Sequence, residues 1–179
     1  MKRVKLPFTA EIINELKAGD ELLLSGMIYT ARDTAHKRLY ELLDKGEELP
    51  IELSGATIYY AGPAPTPPGA VIGSIGPTTS YRMDPYTPRL LQEGLAAMIG
   101  KGPRAQEVKK AVVEKRALYL AAAGGVAALM AQKVRKAELI AWPELLTEAI
   151  YQIVVEDFPV VVAYDCYGGD LYLDKVKKI

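Results

Sequence analysis

The feature that most constrains the fold is an alternation of short apolar strand-like runs with helical segments. Residues 21–29 are a strand candidate, and a helix is predicted from Asp33 to about Lys45, where Gly46 ends it. Residues 117–123 are short, apolar and unalternating, which is typical of a strand covered on both faces. This alternation predicts an α/β fold with a mixed, partly parallel sheet flanked by helices.

The remaining segments extend the same alternation along the chain. Glycine, proline and helix-cap residues set their boundaries, and no internal repeat or low-complexity region interrupts them. We therefore expect a single domain over residues 1–179. The further expected elements are a helix capped by Thr9, strands at 50–60 and 70–75, a helix from Thr87-Pro88 to Gly100, a helix at 105–115, the turn Gly124-Gly125, a helix at 126–134, a strand at 138–142, a helical turn at 143–147, strands at 150–155 and 159–164, and a hairpin turn at 167–170 before a strand at 171–173.

Composition excludes several classes of function. Half of the 179 residues are apolar and the formal net charge is zero, which is an ordinary profile for a folded domain. A nucleic-acid-binding protein normally shows a basic excess, and a membrane span needs about 18 consecutive apolar residues. Neither feature is present, and the amino terminus lacks an apolar signal-peptide core. We expect a cytoplasmic protein that does not bind nucleic acid or membrane.

The chain contains one cysteine, Cys166, and one histidine, His36. A single thiol cannot form an internal disulfide or a self-contained iron–sulfur or cysteine-type zinc site. Any metal would therefore have to come from a partner. Because Cys166 follows an apolar run, a buried thiol is favoured over a reactive one.

A hydroxyl-rich segment at residues 76–84 (Gly-Pro-Thr-Thr-Ser-Tyr-Arg-Met-Asp) is the strongest candidate for a binding loop. It places Thr78, Thr79, Ser80 and Arg82 within five consecutive positions. An arginine offers a planar set of donors that matches a carboxylate or a phosphate. The segment therefore suits an anion, although a solvated turn with one incidental arginine explains it equally well.

Two further cations lie at predicted loop positions. Arg32 directly precedes the helix that Asp33 is expected to cap, and a helix start attracts anions through its unpaired N–H groups. Lys101 directly follows the predicted end of a helix at Gly100. Together with Arg82, these cations could surround a dicarboxylate. The alternative is that all three are ordinary surface charges among the 22 lysines and arginines.

Several of these segments resemble the β subunit of the class I iron–sulfur fumarate hydratases. The β subunit of L(+)-tartrate dehydratase shares the pattern, and in single-chain members the same region is the carboxyl-terminal domain. The resemblance is collinear over roughly residues 5–175. It rests on the strings at 25–33 (Ser-Gly-Met-Ile-Tyr-Thr-Ala-Arg-Asp), 35–38 (Ala-His-Lys-Arg), 76–84, 99–102 (Ile-Gly-Lys-Gly), 124–125 (Gly-Gly) and 155–159 (Val-Glu-Asp-Phe-Pro).

The resemblance implies a swivelling β/β/α domain that closes over a separate α subunit. That subunit would carry a 4Fe–4S cluster on three cysteines, and the assembly would be an α2β2 heterotetramer. The implied reaction is the reversible hydration of fumarate to (S)-malate. The alternatives are the β subunit of an L(+)-tartrate dehydratase and a carboxylate-binding domain without catalytic activity.

The resemblance also implies roles for individual residues. Arg32 and Arg82 would bind substrate carboxylates, and Lys101 would face the substrate. Thr78 would be the catalytic base, with the nearby cations favouring its alkoxide form. Thr79 and Ser80, which would also contact the substrate, remain rivals for that role, and a purely hydrogen-bonding role for Thr78 is the other alternative.

Three further residues are expected to support the site rather than react. His36 would support Arg32, although direct substrate contact is the alternative. Asp33 would cap its helix and pair with an arginine, and Asp84 would brace the loop that holds Arg82. Tyr81 carries a bulky phenol that could reshape the pocket, so the identity of the substrate stays open.

Overall fold

The computed structural model describes residues 1–122 and 126–176. Within these ranges the chain forms seven strands, six α-helices and two short 3₁₀ helices. In chain order they are β1 (Lys2–Lys5), α1 (Ala10–Glu15), β2 (Glu21–Thr30), α2 (Asp33–Lys45), β3 (Thr57–Tyr59), the first 3₁₀ helix (Ser80–Met83), α3 (Thr87–Gln92), β4 (Ala97–Gly100), α4 (Gln106–Glu114), β5 (Leu118–Ala121), α5 (Ala127–Ala131), β6 (Val134–Ala141), the second 3₁₀ helix (Pro143–Glu148), β7 (Ile150–Tyr164) and α6 (Leu171–Val176).

The strands form one mixed sheet in the order β1-β2-β3-β4-β5-β7-β6. Strands β1 to β5 pair in parallel with their neighbours, whereas β7 is antiparallel to β2, β5 and β6. Because β7 pairs with both β5 and β2, the five strands β2, β3, β4, β5 and β7 close into a ring. The predicted mixed sheet flanked by helices is confirmed.

The pairing of the long strands β2 and β7 is interrupted near Gly26. Their register shifts between Leu24 and Gly26, opposite Asp157, which has a positive φ of 49°. Gly26 has a φ of 141°, and a Cβ atom there would lie 2.8 Å from the Cβ of Leu6. Glycine is therefore required at position 26, where the backbone of the amino-terminal segment approaches β2.

The sheet separates two apolar cores. Along β5, Leu118 and Leu120 point into the ring and join the first core, whereas Tyr119 points outward into the second. The second core lies between the sheet and helices α2, α3 and α4, and it includes Leu39, Leu90 and Val108 among others. Since both faces of β5 are buried, its sequence shows no polar alternation, as predicted for residues 117–123.

The helix predicted from Thr87 to Gly100 is wrong in its second half. Helix α3 ends at Gln92, Gly94 turns the chain with a φ of 97°, and Ala97–Gly100 form β4. All four residues of β4 are buried. A strand that is apolar on both faces lacks period-two alternation, so its apolar residues also fit helical spacing. Lys101 thus follows the end of a strand and not of a helix.

Other segments depart from prediction because their pairing depends on distant partners. Only Thr57–Tyr59 of the strand expected at 50–60 are paired. The strand expected at 70–75 does not form, since Ile75 donates its N–H to Ala127 and accepts a hydrogen bond from the hydroxyl of Tyr59. The other differences are that β1 was not predicted, that 150–155 and 159–164 join in β7, and that 171–173 belong to α6. The helix predicted at 126–134 and the strand predicted at 138–142 are present with different bounds, as α5 and β6. The turn at Gly124-Gly125 lies outside the described residues.

The predicted ends of the helices are partly confirmed. Thr9 caps α1, and Gly46 ends α2 in the left-handed conformation with a φ of 67°. Thr87 is the first residue of α3 and not its cap, because Tyr86 holds that position and the Thr87 hydroxyl donates to the carbonyl of Met83. No helix within residues 1–122 and 126–176 is long and apolar enough to cross a membrane.

Candidate active site

The candidate residues gather at one edge of the sheet, where the parallel strands β2, β3 and β4 end. Arg32 lies two residues beyond β2, and Lys101 directly follows β4. Thr78 donates its N–H to the carbonyl of Tyr60 at 2.6 Å, and Ser80 donates its N–H to the carbonyl of Lys101 at 3.0 Å. The segment 78–80 therefore lies between the extensions of β3 and β4. Ligands of α/β proteins, with closed or open sheets, commonly bind at the carboxyl ends of the parallel strands.

Arg32 and Arg82 share one carboxylate. The Nε atom of Arg32 lies 3.8 Å from Oδ2 of Asp33, and Nη1 of Arg82 lies 3.9 Å from Oδ1 of the same side chain. These separations are too long for hydrogen bonds. Arg32 Nε and Asp33 Oδ2 are buried without a hydrogen-bond partner in the described part of the chain. The two guanidinium groups are thus held close together with donor capacity unused.

The start of α2 differs from the expected cap. Asp33 is the first helical residue and Arg32 holds the cap position, so the predicted cap at Asp33 is wrong. The helix N–H of Thr34 donates instead to Glu148 Oε1 at 3.2 Å, and the Thr34 hydroxyl donates to Oε2 at 3.2 Å. The carboxylate of Asp33 is therefore free to face the arginines. Glu148 was missed, because no local signal connects residues 114 positions apart.

Close packing supports Arg32 from the other side. A Cβ atom at Gly62 would overlap the carbonyl oxygen of Thr147 and would lie 3.0 Å from Cδ of Arg32. The segment after β3 can pass between Arg32 and Thr147 only because residue 62 is glycine.

Ser80 anchors the backbone of Lys101. Its buried hydroxyl accepts the N–H of Lys101 at 3.0 Å and lies 2.9 Å from the hydroxyl of Tyr119, which also lies 2.7 Å from the carbonyl of Gly102. A Cβ atom at Gly100 would overlap Ser80 Oγ. Thr79 pairs with Lys101 in a parallel bridge, and both Thr78 and Thr79 are only partly buried.

His36 supports Arg32 from within the protein. Its Nδ1 atom lies 2.8 Å from the carbonyl oxygen of Arg32, so Nδ1 must carry the hydrogen. The ring meets that of Tyr60 edge-on at 5.1 Å. Burial, aided by the charge of Arg104, lowers the pKa of His36 to about 4. His36 is therefore neutral near pH 7, in a position that suits the predicted supporting role.

Asp84 binds a residue that the sequence did not single out. It accepts hydrogen bonds from Nε of Arg104 at 2.5 Å and from the N–H of Ala105 at 2.7 Å. The side chain of Arg104 is completely buried. Its only sequence signal is its place after Gly102-Pro103, three positions beyond Lys101. Asp84 thus fastens the end of the first 3₁₀ helix, which carries Arg82, to the segment that begins α4.

Comparison with known proteins establishes the family. The family described as "Fumarase C-terminus" matches residues 1–175. The chain belongs to this family. Three relatives illustrate the range of matches to the domain. It is 43% identical over 168 residues to "Fumarate hydratase class I, anaerobic" of Escherichia coli (strain K12). The aligned region covers 93% of this chain and 31% of the relative. It is 39% identical over 162 residues to "Fumarate hydratase 2" of Leishmania major, with coverages of 89% and 28%. It is 37% identical over 177 residues to "Putative L(+)-tartrate dehydratase subunit beta" of Methanocaldococcus jannaschii, with coverages of 96% and 91%.

These coverages distinguish two kinds of relative. This fumarase C-terminus domain spans less than a third of each of the two fumarate hydratases, 31% and 28%. It spans 91% of the protein named as a subunit. The expected resemblance to both groups is confirmed.

The domain itself does not fit an iron–sulfur cluster. No group of three His, Cys, Asp or Glu side chains in residues 1–122 and 126–173 could hold a metal ion. The thiol of Cys166 is buried, as predicted, with its Sγ atom 3.9 Å from the carbonyl oxygen of Ile13. Any cluster that serves this site would have to be bound by residues outside the described part of this domain.

Proposed function

We propose that this chain is the β subunit of an iron–sulfur hydro-lyase that hydrates fumarate reversibly to (S)-malate. The observation that carries the proposal is the pair Arg32 and Arg82, each within 4 Å of Asp33 at the edge that also holds Thr78 and Lys101. The three cations outnumber the carboxylates beside them, which are Asp33 within 4 Å of both arginines and Glu148 on Thr34. That balance suits a dicarboxylate dianion.

The three cations would have different roles in substrate binding and catalysis. The forked guanidinium groups of Arg32 and Arg82 suit the two-oxygen geometry of carboxylates. Removal of a proton beside a carboxylate builds negative charge on that carboxylate. Lys101 would stabilise this developing charge in the transition state, together with Arg82.

Thr78 is the proposed base. A neutral threonine hydroxyl is a poor base, so its role requires Arg82 and Lys101 to favour the alkoxide. Thr79 remains a rival because it pairs directly with Lys101. The hydroxyl of Ser80 is buried and is engaged by Lys101 N–H and Tyr119, which favours a positioning role for Ser80 over a reactive one.

The 4Fe–4S cluster belongs, in this proposal, to a separate α subunit. When bound there it would supply a Lewis acid for the hydroxyl group of malate. Since the residues of this domain do not fit the cluster, we derive no step through it. The proposed assembly is an α2β2 heterotetramer, in accord with a relative that is named as a subunit.

Exposed apolar side chains flank the two arginines and suit contact with that subunit. Tyr81, adjacent to Arg82, is 61% exposed, and Leu146 is 74% exposed. Leu146 neighbours Thr147, whose carbonyl oxygen packs against Gly62 beside Arg32. A partner that covers Tyr81 and Leu146 would also enclose the site and exclude water.

The test is reconstitution with the α subunit. We expect the isolated chain to be inactive and expect titration with cluster-loaded α subunit to restore turnover of fumarate and malate. Full hydratase activity without α subunit or iron would refute the heteromeric proposal. An assembled complex that is inactive on every dicarboxylate tested would refute the enzymatic one.

The second candidate is an L(+)-tartrate dehydratase subunit. The near full-length match to a relative named as such a subunit favours it, although the identity of 37% is lower than the 43% shared with a fumarate hydratase. Tartrate carries a second hydroxyl group that would need one more hydrogen-bond partner. Parallel assays with malate, fumarate and both tartrate enantiomers decide the question, because greater activity on tartrate than on malate would overturn our choice of substrate.

A further inference from the structure

Arg104 is an internal cation that no substrate role explains. Its guanidinium group donates to Asp84 at 2.5 Å, to the hydroxyl of Thr87 at 2.7 Å and to the hydroxyl of Tyr60 at 3.3 Å. Its Cζ atom also lies 5.1 Å from the ring centre of Tyr60 and 4.9 Å from that of Tyr119. Its side chain has no exposed surface.

The partners of Arg104 belong to the segments that carry the candidate active site. Tyr60 accepts the N–H of Thr78 through its carbonyl, and Asp84 directly follows the 3₁₀ helix that contains Arg82. Tyr119 contacts both Ser80 and the carbonyl of Gly102, beside Lys101. One buried side chain thus links three separate stretches of chain.

We propose that Arg104 is a positioning residue that fixes Thr78, Arg82 and Lys101 relative to one another. The inference rests on the proposed function, since it gives those three residues their roles. It assigns no chemical step to Arg104, which is too deeply buried to touch a substrate.

The chemistry of arginine suits this task. Its planar fork can donate to Asp84, Thr87 and Tyr60 at once while its faces lie near two aromatic rings, and the single ammonium of lysine cannot reproduce that arrangement. Burial opposes the charge of Arg104, but Tyr60, Asp84 and Tyr119 more than offset this, so its pKa lies above the ordinary value.

A merely structural ion pair is the competing explanation, and a double variant separates the two. Breaking a buried pair on one side leaves an unpaired charge, whereas replacing both partners by neutral groups often restores stability. In the assembled enzyme, we expect Arg104→Met to lower the unfolding temperature and the double variant Arg104→Met/Asp84→Asn to recover at least half of that loss.

Activity should not recover with stability. Because small displacements of reacting groups cost up to about 100-fold in rate, we expect kcat of the double variant to stay at least about 10-fold below wild type, with a smaller change in KM. Recovery of kcat together with the unfolding temperature would overturn the inference. If the methionine variant fails to fold, Arg104→Lys takes its place, since it keeps the charge without the fork and should show the same loss of kcat.

A second readout distinguishes failure of this inference from failure of the proposed function. Hydrogen exchange in the isolated chain should be at least about 10-fold faster at the N–H groups of Thr78 and Ser80 in the double variant, with β2 unchanged. Unchanged exchange there would overturn the positioning role even if the enzyme hydrates fumarate. Faster exchange in the isolated double variant, together with a wild-type assembly that lacks hydratase activity, would support the positioning role and refute the proposed function.

Discussion

Two arginine clusters in this molecule use the same side chain in opposite ways. Arg104 is fully buried, and its donors bind Asp84 and Thr87 at 2.5 and 2.7 Å. Arg32 and Arg82 lie at the edge of the sheet, partly exposed, and approach Asp33 only to 3.8 and 3.9 Å. The inner cluster (Arg104 with Asp84, Thr87 and Tyr60) uses its donors in internal hydrogen bonds. In the outer cluster (Arg32 and Arg82 with Asp33) the donors remain available to a ligand.

This difference separates structural from functional charge. A buried cation must be paired and hydrogen-bonded, because an unpaired charge in the interior costs several kcal/mol. A cation that binds a ligand must keep donors free until the ligand arrives. Asp33 offsets the charges of the partly exposed Arg32 and Arg82 without hydrogen-bonding to either, so their donors stay available for a ligand. Changes at the outer cluster should therefore alter activity, and changes at the inner one should also alter stability.

The largest expected effect is on catalysis, from Arg82→Lys. Lysine keeps the charge but loses the fork, so we expect kcat/KM for malate in the assembled enzyme to fall about 10²–10³-fold. The unfolding temperature should hardly change, because the side chain of Arg82 is 49% exposed.

The matched control for this change is Arg89→Lys. Arg89 pairs with Glu93 on the surface of α3, so this substitution should leave both rate and stability near wild type. Near-wild-type kinetics for Arg82→Lys would mean that Arg82 does not bind the reacting carboxylate.

The outer cluster was accessible to sequence reasoning, and the inner cluster was not. Arg32 and Arg82 lie in short motifs that combine cations with hydroxyl groups, so a few consecutive residues are enough to predict anion binding. The position of Arg104 has meaning only through Tyr60, Asp84 and Thr87, which lie 44, 20 and 17 residues away. The contact of Glu148 with the N–H of Thr34 at the start of α2 was not predicted for the same reason, since the two residues are 114 positions apart.

The fold shows a similar division. Elements with strong local signals, such as β2 and α2, lie close to their predicted bounds. Strand β4 was mistaken for the end of a helix because its burial on both faces removes the alternation that identifies strands. Strand β1 was missed because only Val4 of its four residues is buried, so it presents little apolar pattern. Local periodicity does not reveal which strands pair.

His36 lies between the two clusters, and its burial in the neutral form can be tested through the pH dependence of stability, using His36→Asn. His36 contacts Arg32 and Tyr60, and its pKa falls from an ordinary 6.5 to about 4. As pH falls below about 6.5 the unfolded chain binds the proton first, so the folded state loses stability until about pH 4. Between pH 7 and pH 5 the wild-type free energy of unfolding should fall by about 2 kcal/mol.

Asparagine can still donate to the carbonyl of Arg32 but does not titrate. His36→Asn should therefore show a nearly constant free energy of unfolding over that range, measured by urea denaturation at several pH values. His36 is the only histidine, and the pKa values of the carboxyl groups of Glu11, Asp20 and Glu144 are lowered by hydrogen bonds, so these groups stay ionised over that range. A slope in the variant equal to that of wild type would show that His36 is not the buried, neutral group described.

The packing behind Lys101 predicts an effect of intermediate size, from Gly100→Ala. The new methyl group would overlap Ser80 Oγ and would lie 2.9 Å from Cδ2 of Tyr60, so one of them must move. We expect a loss of about 1–3 kcal/mol in unfolding free energy, measured by urea denaturation. The hydrogen bond from Lys101 to Ser80 should weaken as well.

Gly102→Ala is the control for this packing argument. Gly102 has a φ of 82° but no heavy atom within 4 Å of its Cβ position, so alanine there should cost only about 1 kcal/mol of backbone strain. If Gly100→Ala costs no more than Gly102→Ala, the close contact between Gly100 and Ser80 is not present in solution.

The smallest expected effect is at the rim of the outer cluster, and it is a gain in stability. Leu146 has a φ of 54° and a ψ of −114°, which is unfavourable for a side chain, and it is 74% exposed. Leu146→Gly should relieve the strain without losing buried surface, and the net gain should reach about 1 kcal/mol after the entropy cost of glycine. The matched change Leu129→Gly in α5 should instead destabilise the chain by about 1 kcal/mol.

If Leu146 contacts the α subunit as proposed, the glycine variant should be more stable alone yet bind that subunit more weakly. A gain in stability with unchanged assembly would remove Leu146 from the proposed interface and leave Tyr81, beside Arg82, as the proposed contact with the α subunit.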